Sequence, residues 1–356
     1  MVIFICNTKV LWSKHDIINM NEIIWGESKK MKILAYSHRK DETKFFKEFS
    51  KKYNVEVVLT DKAPSMETAE LAKGFDCISV ITTIINHELV NRFHEIGVKF
   101  ISTRTIGYDH IDLNEAEKVG VHVGNATYSP NSVADYTIMM MLMATRKMKL
   151  IMERSNGQDY SLIGVQGKEL PNLTVGVIGT GKIGRTVIKH LSGFGCKILA
   201  HDIYKQEEVK NYSEYVDLEY LFKNSDIITL HMPATEENYH MINKVSLGEM
   251  KDGVFIINTA RGSLINTEEF IEALENGKVG GAALDVIERE EGLYYNDLKG
   301  QILNNRELAI LKSFPNVIVT PHTAFYTDQA VSDMVENSIK SCILFSEGKD
   351  NPWMVV

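Results

Sequence analysis

No Cys-x-x-Cys pair occurs: the four cysteines, Cys6, Cys77, Cys196 and Cys342, lie scattered along 356 residues. That spacing argues against a zinc ribbon or a disulfide framework and makes a reduced cytoplasm the natural compartment. A basic excess is missing too. The net charge is −8 and the pI about 5.8, which argues against a nucleic-acid surface. No apolar run reaches the roughly 20 residues of a membrane helix. The most apolar stretch, YTIMMMLMATRKMKLIM (Tyr136 to Met152), is broken by Arg146, Lys147 and Lys149. It reads as a helix buried in a core or an oligomer interface. Ser129 suits its N-cap, Pro130 its first helical position, and Asp135 lies near its positive end. No low-complexity linker and no repeat of solenoid period is present. The first thirty residues lack an apolar core followed by a small-residue cleavage site, so they make a poor signal peptide. Met31 then opens MKILAYS, which reads as a first strand, and translation is expected to start there. N-terminal sequencing of the product of the native gene checks that expectation.

What is present is regular alternation. Hydrophobic and charged contents of 44% and 24% are those of a globular protein, and the length suits one large or two ordinary domains. From KILAYS onward, strand-like runs (VEVVLT, CISVIT, VKFIST, VHVGN) alternate with helical patterns. A second alternating run starts at NLTVGVIG and continues through CKILAHD, DIITLHMP, GVFIINT, GGAALDV and NVIVT. Such βα alternation predicts an α/β fold of two doubly wound, mainly parallel sheets with helices on both faces. The Met-rich helix joins the two, and a last helix is expected from Asp328 to Glu347.

VGVIGTGKIG places Gly179-x-Gly181-x-x-Gly184 between a strand and a helix. Gly179 allows a tight turn, Gly181 lets a pyrophosphate approach the backbone, and Gly184 lets helix and strand pack closely. The helix N-terminus offers N–H groups and partial positive charge to phosphates. Asp202 ends the next strand, where an acidic residue accepts from an adenosine ribose and repels a 2′-phosphate. NAD is therefore expected over NADP, with Lys205 close enough to soften the preference.

Four further strand ends carry polar residues: His231, Met232 and Pro233; then Asn258 to Arg261; then Asp285 and Glu290; and finally His322, after Thr320-Pro321. Taken singly, Arg261 reads as a surface ion pair, Glu290 as a loop charge and His231 as a satisfied buried imidazole. Taken together they fall on the sheet edge that carries the glycine loop, where α/β proteins bind ligands.

The glycine loop with Asp202, NTARGSL, ALDVIEREEG and TPHTAFYT resemble the D-2-hydroxyacid dehydrogenases, in order and spacing, from Met31 to the last helix. The resemblance is to their D-lactate dehydrogenase branch. ISTRTIGYDHID and NATYSPNSVADYTIMMMLMA are similar to the members that serve glycopeptide-antibiotic resistance. The resemblance implies a flavodoxin-like substrate domain of residues 31–128 plus 325–356 and a Rossmann NAD-binding domain of residues 129–324, with residues 1–30 an extension. It implies that Arg261 binds the 2-oxoacid carboxylate through its bidentate fork, that His322 gives a proton to the carbonyl oxygen, and that Glu290 orients His322 and favours its charged form. N–H groups of Ile106 and Gly107 would assist at the carboxylate, and Tyr128 would line the pocket. The NAD contacts it implies, besides the glycines, are Lys182, Ile183, Asp202, Met232, Pro233, Asn238, Thr259, Ala260 and Asp285. The assembly it implies is a homodimer through the NAD-binding domain.

The chemistry is that of an acid placed where negative charge grows on the carbonyl oxygen. The expected reaction is reduction of pyruvate to D-lactate. Larger 2-oxoacids such as phenylpyruvate or 2-oxoisocaproate, D-lactate supply for glycopeptide resistance, and an NAD-sensing binding protein like the corepressors of this fold stay open. No nucleic-acid or membrane partner is expected. Arg289 stands where many relatives have glycine, and a pairing with Glu290 would compete with His322. The loop EEGLYYNDLKGQ, with Tyr294 and Tyr295, resembles the extended loop of the lactate branch.

Overall fold

The structure, a computed structural model, describes residues 30–356. The expectation for the amino-terminal extension therefore lies, except for Lys30, outside the described residues. The chain divides into two compact units, one of residues 30–127 with 334–356 and one of residues 128–333. The second crossing between units falls inside the last helix, Asp328–Ser346.

The first unit is a five-stranded parallel sheet. Its strands are β1 (Lys32–Ala35), β2 (Glu56–Leu59), β3 (Cys77–Val80), β4 (Phe100–Thr103) and β5 (His122–Gly124), in the order β2-β1-β3-β4-β5. Every residue of β3 and β4 is buried, as expected of parallel strands covered on both faces. One face packs Ile33 and Phe100 against Phe46 and Phe49 of helix Thr43–Tyr53 and against Val335 and Ile339 of the last helix. The other packs Leu34, Ile78 and Ile101 against Leu89, Val90 and Phe93 of helix His87–Glu95.

Arg104, the first residue after β4, is fully buried with Glu42. Its guanidinium donates to Glu42 Oε1 (2.9 Å), the Ser79 hydroxyl (3.0 Å) and the Tyr36 carbonyl (2.9 Å). Burial pushes its pKa down and Glu42 opposes that shift. Ser338 on the last helix meets the hydroxyls of Ser79 (2.7 Å) and Ser102 (2.9 Å). This buried polar network fixes the exit of β4, from which the Ile106–Gly107 turn departs.

The second unit is a seven-stranded parallel sheet. Its strands are β6 (Thr174–Ile178), β7 (Lys197–His201), β8 (Glu214–Tyr215), β9 (Ile227–Leu230), β10 (Val254–Asn258), β11 (Val279–Leu284) and β12 (Val317–Val319). Their order is β12-β11-β10-β9-β6-β7-β8, so the winding reverses between β6 and β9. Only β8, two residues at the sheet's edge, goes beyond the strands expected from the sequence. Two corrections concern the Met-rich stretch. It forms two helices, Asn131–Thr145 and Met148–Asn156, because Lys147 adopts a left-handed φ of 52°. Ser129 is not the side-chain cap: helix Asn131–Thr145 begins later, and the Ser129 hydroxyl accepts from the Asn131 carboxamide (3.1 Å). Val133, Ala134, Met140, Met141 and Ala144 are buried, and the helix packs across β10, β11 and β12.

Candidate active site

Parallel winding brings every chemical group of the second unit to one edge of one sheet. In spatial order the carboxyl ends carry His322 (β12), Asp285 and Glu290 (β11), Thr259 to Arg261 (β10), His231 to Pro233 (β9), the glycine loop (β6) and Asp202 (β7). The winding reversal between β6 and β9 makes this the edge where α/β sheets hold ligands. Strands lie about 4.8 Å apart, so Asp202 and Arg261, three strands apart, stand roughly 14 Å from each other. One small substrate cannot touch both, and an extended dinucleotide can.

The glycine loop fits a dinucleotide. Gly179 has φ of 91°, and a Cβ there would lie 2.6 Å from the His231 carbonyl oxygen. A Cβ on Gly184 would lie 1.9 Å from the Gly179 oxygen, whereas one on Gly181 would meet nothing within 4 Å. The loop is thus tight against its own backbone and open where phosphates would lie. Helix Lys182–Ser192 starts from Gly181 with no side-chain cap, leaving the first N–H groups, including those of Lys182 and Ile183, for an anion. Asp202 Oδ2 accepts the Thr180 N–H (2.5 Å) and hydroxyl (3.0 Å), and its Oδ1 accepts the Tyr204 N–H (2.8 Å). These bonds aim the carboxylate at the loop. The Lys205 ammonium sits 5.7 Å from the Tyr215 ring centroid. Asn238 uses its carboxamide to close its own loop, donating to the Pro233 carbonyl (2.7 Å) and accepting from Thr235 (2.8 Å). Met232 and Pro233 lie at the start of that loop.

The chemical end is built around Asp285, which is fully buried. Oδ1 accepts the Thr320 hydroxyl (2.6 Å) and the Thr323 N–H (2.9 Å), and Oδ2 accepts the Ala324 N–H (2.8 Å). Its own N–H donates to Asn258 (2.9 Å), and its carbonyl accepts the His322 N–H (2.8 Å). His322 is held with φ of 53°, a left-handed conformation that costs about 1–2 kcal/mol. The surrounding bonds offset that cost. Its Nδ1 meets Glu290 Oε1 at 2.5 Å, and Glu290 Oε2 accepts the Ile287 N–H (3.2 Å). Arg289 does not compete: it pairs with Glu307 at 3.5 Å.

Arg261 begins the next bend. Asn258 organises it, accepting the Ala260 N–H (3.0 Å) and donating to the Arg261 carbonyl (2.8 Å). A Cβ on Gly262 would lie 2.0 Å from the Ile287 backbone, so the Arg261 bend is seated directly on the segment that leads to Glu290. Thr259 joins Thr137 through their hydroxyls (2.9 Å), and Tyr136 joins Thr323 (3.1 Å). Helix Asn131–Thr145 therefore ties the Arg261 bend to the His322 loop.

Aromatic rings surround His322. Phe325 meets it edge-on at 6.3 Å, Tyr295 is tilted at 6.4 Å, and Tyr128 lies 6.3 Å from Phe325. Burial pushes the Tyr128 phenol up to about 12, with Arg261 opposing and Asp285 adding, which puts Tyr128 within electrostatic reach of both. Tyr294 packs inward with its hydroxyl unpartnered among the described residues, and its pKa is raised by burial and by Glu290 and Asp285. His231 lies under the glycine loop. Burial pushes its pKa down to about 3, so it is neutral at ordinary pH, with Nε2 at 2.9 Å from the Thr229 hydroxyl.

Ile106 and Gly107 belong to the other unit, in the turn beyond β4. Their carbonyls accept from Asn125 (2.8 Å) and Thr105 (2.6 Å), while neither N–H has a partner among the described residues. The sequence pointed to Asn258 only as a polar residue at a strand end, and Thr180, Gly262, Tyr136 and Thr137 drew no expectation. Gly262 follows Arg261 in NTARGSL, and that proximity was the available signal. The helix residues carry none.

Comparisons with known proteins identify the family. The family described as D-isomer specific 2-hydroxyacid dehydrogenase, NAD binding domain, matches residues 138–324. The chain is 48% identical over 309 residues to an aromatic 2-oxoacid reductase of Clostridium sporogenes, covering 86% of this chain and 93% of that one. It is 41% identical over 321 residues to a D-lactate dehydrogenase of Lactiplantibacillus plantarum, covering 89% and 97%. A solved D-2-hydroxyisocaproate dehydrogenase superposes with a TM-score of 0.82 at 36% identity, covering 91% of this chain and 99% of that one.

Asp285→Asn would set an amide N–H against the donors that now meet Oδ1 or Oδ2. The expected result is a loss of about 1–3 kcal/mol in urea unfolding, with turnover reduced at least about tenfold as the His322 loop relaxes. Wild-type stability together with wild-type turnover would contradict this role.

Proposed function

Since the chain belongs to the D-isomer specific 2-hydroxyacid dehydrogenase family and is an NAD-dependent oxidoreductase, we propose that it reduces 2-oxoacids with bulky apolar side chains to the D-2-hydroxyacids, with pyruvate a poorer substrate. The observation that carries this reading is the collar of rings at His322: Phe325, Tyr295 and, behind Phe325, Tyr128. A phenyl or isobutyl group buried there gains about 1.5–3 kcal/mol, against about 0.8 kcal/mol for the single methyl group of pyruvate. The similarity to an aromatic 2-oxoacid reductase supports the same choice.

Arg261 takes the substrate carboxylate in its planar fork and so fixes the ketone at the sheet edge. Bound NADH supplies the hydride. His322 keeps Nδ1 on Glu290, which leaves Nε2 to hold the carbonyl oxygen and give it a proton as charge develops there. Glu290 stabilises the imidazolium before that transfer and holds the ring in one orientation. In the reverse reaction Nε2 accepts the hydroxyl proton. The N–H groups of Lys182 and Ile183 would hold the phosphates of the dinucleotide, and Asp202 would accept from its adenosine ribose. The scattered cysteines favour a reduced compartment, and we assign the reaction to the cytoplasm on that ground.

The apolar groove on helix Asn131–Thr145, about 560 Å³ and lined by Ile138, Met139, Leu142, Met143 and Met148, is assigned to a second copy of the chain. Met139 stands 41% exposed there, a poor use of methionine in a monomer.

Two measurements check these readings. In NADH oxidation with pyruvate, 2-oxoisocaproate and phenylpyruvate, one of the bulky acids should exceed pyruvate in kcat/KM by about tenfold or more; a pyruvate preference would overturn the substrate assignment. Light scattering should give about twice the chain mass of 40.3 kDa, and a monomer at working concentration would remove the dimer.

A further inference from the structure

We propose that Tyr295 is a positioning residue for His322, gripping its backbone while Glu290 grips its ring. The Tyr295 hydroxyl donates to the His322 carbonyl oxygen at 2.8 Å. Glu290 Oε1 holds Nδ1 at 2.5 Å. Both grips come from one short segment, because Glu290 and Tyr295 are five residues apart and the Glu290 carbonyl accepts the N–H groups of Leu293 (3.1 Å) and Tyr294 (3.3 Å). Left-handed backbone at Arg289, Gly292 and Tyr295 (φ of 57°, 76° and 67°) folds the segment back so that its tyrosine reaches the loop after β12.

His322 needs such a grip. Its φ of 53° is a conformation that non-glycine residues leave readily unless the surroundings enforce it. Its N–H is secured by the Asp285 carbonyl, but its carbonyl, on the far side of the residue, is secured by Tyr295. Releasing that carbonyl lets the peptide plane rotate and swings Nε2 relative to the substrate oxygen. Tyr295 is 52% exposed, so its hydroxyl contributes to placement far more than to the core. The tyrosine would thus set how well His322 delivers its proton, without touching the dinucleotide.

The inference rests on His322 being the proton donor, and the test separates the two. Tyr295→Phe keeps the ring and removes only the hydroxyl. Expected are a kcat reduced about fivefold to tenfold, the worth of one neutral hydrogen bond, with the dissociation constant of NADH unchanged and KM for the 2-oxoacid little changed, because phenylalanine keeps the ring that lines the pocket. The solvent deuterium isotope effect on kcat should rise, because proton delivery becomes a larger share of the barrier. Wild-type kcat and isotope effect would overturn the proposal. So would a loss of turnover matched by an equal loss of NADH affinity or of thermal stability, which would mark a structural role only. His322→Ala is measured alongside. If it is nearly inactive while Tyr295→Phe is wild-type, the Tyr295 inference alone falls. If His322→Ala itself retains turnover, the proton-donor reading falls and takes this inference with it.

Discussion

A carboxylate with no water contact is tolerated only when donors replace its hydration, and Asp285 collects three of them from a single stretch, Thr320 to Ala324. Everything at the chemical end depends on that exchange. The strand β12 ends at Val319, just before Thr320-Pro321, and proline cannot extend a ladder, so the following residues need another anchor. Asp285 provides it, and its own backbone links Asn258 on one side to His322 on the other. The same carboxylate thus registers the Arg261 bend, the Glu290 segment and the His322 loop against one another. A left-handed histidine becomes the stable conformation at that point because three neighbouring elements agree on it.

From that anchor the functions spread along the sheet edge in an order set by topology. The chemical groups lie on β10, β11 and β12, and the groups that fit phosphates and ribose lie on β6 and β7. Among the histidines at the edge, burial sets His231 apart from His322. His231, beneath the glycine loop, is held neutral, with its pKa pushed down to about 3. His322 keeps a carboxylate partner at Nδ1, and its Nε2 has no hydrogen-bond partner among the described residues. The second His–Glu pair, His240 with Glu288 at 2.6 Å, belongs to the loop packed beside the Arg261 bend. Burial works against the Glu288 charge there, yet His240 and Thr267 hold its pKa below the usual carboxylate range.

Much of this was legible in the sequence because it is written in local signals. Eleven of the twelve strands follow apolar runs, and the glycine loop, Asp202, Arg261, Glu290 and His322 each fall just beyond one of them. Parallel winding does the rest, since it puts all carboxyl ends on one edge. What could not be read depends on contacts across long separations. Thr137 meets Thr259 and Tyr136 meets Thr323 only after the Met-rich helix has packed over the sheet. The choice of Arg289 between Glu290 and Glu307 is settled by a left-handed backbone that an arginine rarely adopts. The break at Lys147 has no glycine or proline to announce it. Ser129 looked like a cap by type, but its N–H donates to the Asp333 carboxylate of the last helix and its hydroxyl accepts from the Asn131 carboxamide.

The most direct test of the account is a crystal structure of the protein with NADH and an N-aryl oxamate, whose amide replaces the reducible ketone. The account predicts Arg261 forked on the carboxylate, the aryl group against Phe325 and Tyr295, and His322 Nε2 within about 2.6–3.2 Å of the carbonyl oxygen. An oxamate bound with its carboxylate away from Arg261, or with another group on the carbonyl oxygen, would contradict it.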